Sequence, residues 1–189
     1  QTQIRAILKQ VGVTAVYVTH DREEAFAVAD TIVVMDRGAI VQTGGPEVLF
    51  AAPANELVAR SLGIRNMLPG VIAPGVGALT VSCALGAIGA SGPAPRVANA
   101  GVLVLIDERG VQVGRRWDTL AGDGAVTLTG VISARSFRGS ESELRIAIGD
   151  GELVCVVPSQ QAANAVGDEV SVTIPREAVR LLPVTTPSA

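Results

Sequence analysis

One histidine, His20, stands among 189 residues, and its surroundings are those of a group placed to act. It follows the apolar run Ala15-Val16-Tyr17-Val18 and is flanked by Thr19 and Asp21. The pattern reads as a buried strand that presents polar side chains at its C-terminal end. An imidazole there, held by backbone on one side, keeps a ring N–H to donate outward. The ordinary reading stands beside it: a polar residue that merely ends a buried strand. Asp21 and Glu24 have the spacing of a capping box, in which the first side chain takes a free backbone N–H and the second reaches back. Near the positive end of a helix dipole both read as helix-start residues rather than as an acid and a base, and Glu23 reads as solvated. The two cysteines, Cys83 and Cys155, are far apart and lack metal-ligand spacing, so they read as free, buried thiols. Arg115-Arg116-Trp117 is a possible recognition patch, with a surface loop half-burying one tryptophan as the plainer account.

The elements that must position His20 follow from periodicity. Ile4, Ile7, Leu8 and Val11 recur at helical spacing and Gly12 supplies a stop. After the strand over 15–18, a helix starts at Asp21 with Ala25, Phe26, Val28 and Ala29 on its apolar side. Thr31 to Met35 reads as a continuous apolar strand, Asp36-Arg37-Gly38 as a turn, and Ala39 to Thr43 as the returning strand. Pro46 suits the first position of a short helix through Phe50, and Asn55 caps a last one carrying Leu57, Val58 and Leu62. From Asn66 onward glycine and valine dominate, helical periodicity fades, and Gly92 to Ala98 interrupts the pattern as a loop. The expected organisation is thus an α/β part over 1–66 and an all-β part over 67–189. Within the second part, Gly70-Val71-Ile72-Ala73 resembles Gly130-Val131-Ile132-Ser133, and Ile106 and Val111 share their separation with Ile174 and Val179. Two related β-units, 67–124 and 125–183, are the expectation.

Composition excludes some classes. Apolar residues at 48% support a packed interior, whereas 17% charged residues, a net charge of -3 and 3% aromatics supply neither a basic footprint nor stacking rings for nucleic acid. The longest apolar stretch, Val102 to Ile106 and its neighbours, is too short to span a bilayer, and no charged segment with an apolar signal core opens the chain. A soluble polypeptide is expected. Gln1 stands where an initiator methionine would, ahead of a segment that already reads as mid-helix, so the chain is expected to be a fragment.

Tyr17 to Ala25, reading YVTHDREEA, resembles the switch-histidine segment of ABC ATPases. The continuation DTIVVMDRGAIVQTGGPEVLF is similar to that family's strand, turn, strand and Gly-x-Pro helix, and PANELVARSLGIRNMLPG is similar to the same region in importers of ferric iron, polyamines, sugars and sulfate. The remainder resembles their accessory β-domain, of OB-like TOBE type and akin to small-oxyanion-binding modules, and Phe137-Arg138-Gly139 resembles one of its loops. An Arg-Gly turn beside a strand is the ordinary alternative there.

The resemblance implies the tail of a P-loop NTPase domain followed by an all-β OB-like (TOBE) domain. It implies that His20 contacts the terminal phosphate of ATP when two ATPase domains close, since phosphoryl transfer is catalysed mostly by positioned donors. It further implies magnesium and ATP in the parent, a second ATPase subunit as homodimer partner, membrane permease subunits, a solute-binding protein engaged indirectly, and a place at the cytoplasmic face of the membrane. Ferric iron or a polyamine is the slightly favoured cargo. The sequence holds no Gly-x-x-x-x-Gly-Lys-Ser/Thr loop and no apolar strand ending in Asp-Glu, so the chain alone is expected to carry no nucleotide, no metal and no activity. The alternative is a non-catalytic module that senses an oxyanion or the transported solute. An exporter ATPase fits less well, because a long β-rich region follows Gly63.

Overall fold

A computed structural model describes residues 2–74, 79–91, 97–115, 124–160 and 165–184. The chain divides into two compact units, Gln1–Gly63 and Ile64–Ala189.

The first unit contains α1 (Thr2–Val11), α2 (Arg22–Val28), β1 (Ile32–Asp36), β2 (Ala39–Gly44), α3 (Pro46–Ala51) and α4 (Glu56–Ser61). β1 and β2 form a two-stranded antiparallel hairpin with Asp36 opposite Ala39. Arg37 and Gly38 both take positive φ, 48° and 82°, the conformation that matches a tight hairpin to the strands' own twist. Leu49 and Val58 are fully buried, with Val34 and Leu62 beside them, and Phe26 meets Phe50 edge-on at 6.4 Å. Asn55 caps α4 by accepting the Val58 N–H at 3.0 Å. Gln42 braces the chain after α3, donating to the Ala52 carbonyl at 2.9 Å and accepting from the Ala54 N–H at 2.7 Å.

The strand expected over 15–18 is not formed. Residues 13–19 lie outside any helix or strand, and Val16 and Val18 are each 90% exposed. Apolar, β-branched content suits a buried strand, but a strand exists only where a neighbour accepts its N–H and C=O groups. In this unit β1 and β2 pair with each other alone. The described residues of the unit therefore show helices around one antiparallel hairpin, and the expected α/β sheet of a P-loop domain is not displayed.

The second unit is β-rich. It contains β3 (Asn66–Ile72), β4 (Thr80–Cys83), β5 (Gly86–Gly89), β6 (Gly101–Ile106), β7 (Gln112–Arg115), β8 (Val126–Arg138), β9 (Glu141–Ile148), β10 (Gly151–Pro158), β11 (Glu169–Ile174) and β12 (Val179–Pro183). One five-stranded sheet runs β12-β6-β3-β4-β5 and the other β7-β11-β8-β9-β10. Substituting β8 to β12 for β3 to β7 turns the first order into the second. Each set of consecutive strands therefore lends its last member to the other set's sheet. Gly70 and Gly130, Ile72 and Ile132, and Ile106 and Ile174 occupy corresponding places in the two sets.

The register shows why glycine stands at two of them. A Cβ on Gly70 would lie 2.8 Å from a Val104 methyl, and one on Gly130 only 2.5 Å from an Ile146 methyl and 2.7 Å from the Ala147 carbonyl oxygen. Val81 and Ile146, the partners of Ile72 and Ile132, are fully buried in one continuous core. Asn66, 3% exposed, acts there as a surrogate strand for β10: its amide oxygen accepts from the Val154 N–H at 2.8 Å and its amide nitrogen donates to the Val154 carbonyl at 2.7 Å.

Candidate functional site around His20

The site is built on the first turn of α2. Asp21 is the N-cap: its Oδ1 accepts from the backbone N–H of Glu23 at 2.8 Å and of Glu24 at 3.2 Å, which meets the first half of the capping expectation. The second half is corrected. Glu24 does not reach back to the Asp21 N–H, because the Thr19 hydroxyl takes that proton at 2.9 Å. The Glu24 carboxylate is engaged instead by two hydroxyls, accepting on Oε2 from Tyr17 at 2.9 Å and from Thr19 at 3.0 Å. The bond to Glu24, reinforced by that residue's charge, holds the Tyr17 phenol above the usual tyrosine value.

His20 itself is exposed and stands just ahead of the cap. With Asp21, Arg22, Glu23 and Ser61 it lines an open depression of about 410 Å³. Ser61 spends its hydroxyl on the Leu57 carbonyl at 2.9 Å. Arg22 lies across Gly63, whose φ is +82° and whose missing Cβ would fall 1.6 Å from the Arg22 Nη1. The positive φ is what favours glycine there, since any other side chain would be strained and would also push the Arg22 guanidinium aside. The depression thus presents one imidazole, one guanidinium and the Glu23 carboxylate to an incoming group, with Asp21 committed to the helix.

The sequence names His20 with its neighbours Thr19 and Asp21; the structure adds the bonds of Tyr17 and Thr19 to Glu24 and brings Arg22 and Ser61 beside the imidazole. The available signal was the alternation of Tyr17 and Thr19 along an extended segment, which puts both hydroxyls on one side. Of the other candidates, Phe137 is 69% exposed at the end of β8, and Arg138 is committed to Glu143 at 2.9 Å. The patch Arg115-Arg116-Trp117 lies outside the described residues except for the backbone of Arg115, and the loop over 92–98 is described only at its end. Both cysteines are free thiols, but only Cys155 is buried as expected; Cys83 is half-buried near the end of its strand. Burial pushes Cys155 up to about 12 and raises Cys83 as well, which leaves neither with nucleophilic character near neutral pH. No helix among the described residues is long and apolar enough to cross a membrane.

A family model matches residues 111–182, a span that runs from the edge of β7 to β12 and so takes in both exchanged strands. That family is the TOBE domain. The chain is also 49% identical over 69 residues to the Fe(3+) ions import ATP-binding protein FbpC of Brucella abortus, a match covering 36% of this chain and 20% of that protein. It is 49% identical over 73 residues to the spermidine/putrescine import ATP-binding protein PotA of Nitratidesulfovibrio vulgaris, covering 39% of this chain and 20% of that one. FbpC of Escherichia coli is 44% identical over 73 residues, 39% of this chain and 21% of its own length. The match thus spans about a fifth of the length of these import ATP-binding proteins. Among solved structures, the cytoplasmic molybdate-binding protein ModG with molybdate bound is similar with a TM-score of 0.53 and 17% identity, over 63% of this chain and 96% of ModG. At that identity the likeness concerns the fold, an all-β OB-like TOBE arrangement.

Proposed function

We propose that this chain forms the C-terminal portion of the ATP-hydrolysing subunit of an ABC-type importer, coupling hydrolysis to solute uptake. The observation that carries the reading is His20, exposed directly ahead of a side-chain-capped helix within YVTHDREEA, in a chain akin to import ATP-binding proteins. In this reading residues 1–66 belong to the ATPase domain and 67–189 form a regulatory or dimerisation domain of two related units. His20 donates a ring N–H to the terminal phosphate of ATP, where negative charge builds as the attacking water arrives, and so couples closure of two ATPase subunits to hydrolysis. The exposed run 13–18 is then the strand that the rest of the ATPase sheet covers.

The working partners are a second copy of the subunit and membrane permeases, at the cytoplasmic face of the membrane, with a solute-binding protein acting indirectly. ATP is the substrate. Among the described residues no three His, Cys, Asp or Glu side chains gather as a metal site needs, and Asp21 is committed to its helix. The relatives named for ferric iron and for polyamines are equally similar, so both cargoes stay in play.

In the full-length subunit, His20→Ala should lower kcat for ATP hydrolysis by about 100-fold, the loss expected for one transition-state donor. Hydrolysis within a few-fold of the parent's would remove the reading. The 189-residue chain, lacking a phosphate loop, should show no uptake of a labelled ATP analogue at micromolar concentration in equilibrium dialysis.

A further inference from the structure

We propose that Glu24 is a positioning residue for His20, its carboxylate tying the chain on both sides of the histidine to α2; the inference rests on the reading of His20 given above. The tie has three parts. Tyr17 and Thr19 donate to the same carboxylate oxygen at 2.9 and 3.0 Å, and the Thr19 hydroxyl in turn accepts the Asp21 N–H at 2.9 Å. The residues immediately before and after His20 are thereby joined to each other and to the helix.

In the 189-residue chain, burial does not do this work. Val16 and Val18 are 90% exposed, Tyr17 is 60% exposed, and residues 13–19 belong to no strand. Side chains alternate along an extended segment, so the shared side of Tyr17 and Thr19 faces Glu24 and the segment is held from that side. Bonds to a charged acceptor are the strong kind, and two on one oxygen define a direction as well as a distance. A carboxylate at this position is accordingly spent on geometry: it fixes the peptide that carries the imidazole and leaves the ring free toward the depression with Arg22 and Ser61.

The chain has one histidine and one tyrosine, so each reports without assignment. The experiment uses the 189-residue chain, following the His20 ring C–H resonance by proton–carbon NMR and the ionisation of Tyr17 by its absorbance. The parent should give one sharp histidine resonance and a Tyr17 midpoint above the ordinary value of 10.0, raised by the bond and charge of Glu24 with a smaller push from Asp21. In Glu24→Ala the midpoint should fall toward that value and the His20 resonance should shift or broaden. Glu24→Gln keeps an oxygen that accepts from both hydroxyls; it should restore the His20 resonance and put the Tyr17 midpoint between the alanine variant's and the parent's, because the bond is kept and the charge is gone.

An unmoved His20 resonance in Glu24→Ala overturns the proposal, as does failure of the glutamine to restore it. If circular dichroism shows that the alanine variant loses helix, Thr19→Val decides, since it cuts one tether without touching α2: a shifted resonance supports the proposal and an unmoved one overturns it. Failure of the His20 reading shows elsewhere, as unchanged ATP hydrolysis by His20→Ala in the full-length subunit, and it leaves the tether itself standing.

Discussion

Glu143 shows how much of the second unit's charge chemistry is concentrated at single residues. Its side chain is 9% exposed and receives Arg65 Nη1 and Arg138 Nη2, each at 2.9 Å, while Arg65 also binds Glu108 through Nε at 2.8 Å. The hydrogen bond from Arg65, helped by the charges of Arg65, Arg138 and Arg145, outweighs burial and holds the Glu143 carboxyl below its ordinary value of 4.5. A folded value depressed below the unfolded one gives stability that is complete above about pH 4.5 and is lost as the pH falls through the folded value. Glu143→Gln should cost about 1–2 kcal/mol at pH 7, as a charged hydrogen bond partly open to solvent does. It should also flatten the acid limb below pH 4.5, measured by urea unfolding at several pH values; an acid limb as steep as the parent's would deny the role. None of this cluster is legible in sequence, because Arg65, Glu108 and Glu143 stand in unrelated segments. His20 and Asp21 are legible because their partners are local: an apolar run before them and a helix start after.

At the scale of elements, most of what the sequence announces is present, since each announcement is a local steric rule. Asn55 caps α4, Pro46 opens α3, Gly38 turns the hairpin, and the valine-rich remainder is strand. The failure over 15–18 has the complementary cause: apolar content tells how well a strand would bury, and pairing depends on a neighbour that the segment does not encode. Gly130 gives the sharpest test of how tightly the strands are set. An alanine Cβ there meets Ile146 and Ile148 side chains at 2.5 and 2.7 Å and the Ala147 carbonyl at 2.7 Å. The side chains have no free volume in a fully buried core, and the carbonyl belongs to the ladder. Gly130→Ala should therefore destabilise the second unit by about 1–3 kcal/mol, the range for overpacking. Unfolding followed by urea should show the loss in midpoint with little change in slope, and a midpoint equal to the parent's would mean that β8 and β9 are set further apart than described.

At the scale of the whole second unit, the exchange of β7 and β12 makes the two strand sets interdependent. β7 pairs with β11 along Gln112 to Arg115, and β12 pairs with β6 along Val179 to Pro183, so each sheet ends on a strand that the other set supplies. Sequence similarity between Gly70-Val71-Ile72 and Gly130-Val131-Ile132 could suggest a duplication, but it could not reveal the exchange, because strand pairing is a long-range choice. The consequence is physical. Without the partner set, β6 and β11 would present unpaired edges, and Val104, Ile106, Val172 and Ile174, all at most 1% exposed, would lose their cover. Residues 64–115 and 124–184 expressed separately should each aggregate or pair with a second copy of themselves. Produced together, they should co-purify one to one and unfold in a single cooperative step, as sedimentation and thermal unfolding would show. Two independently soluble, monomeric, cooperatively folding halves would mean that each set closes its own sheet and that the exchange is dispensable.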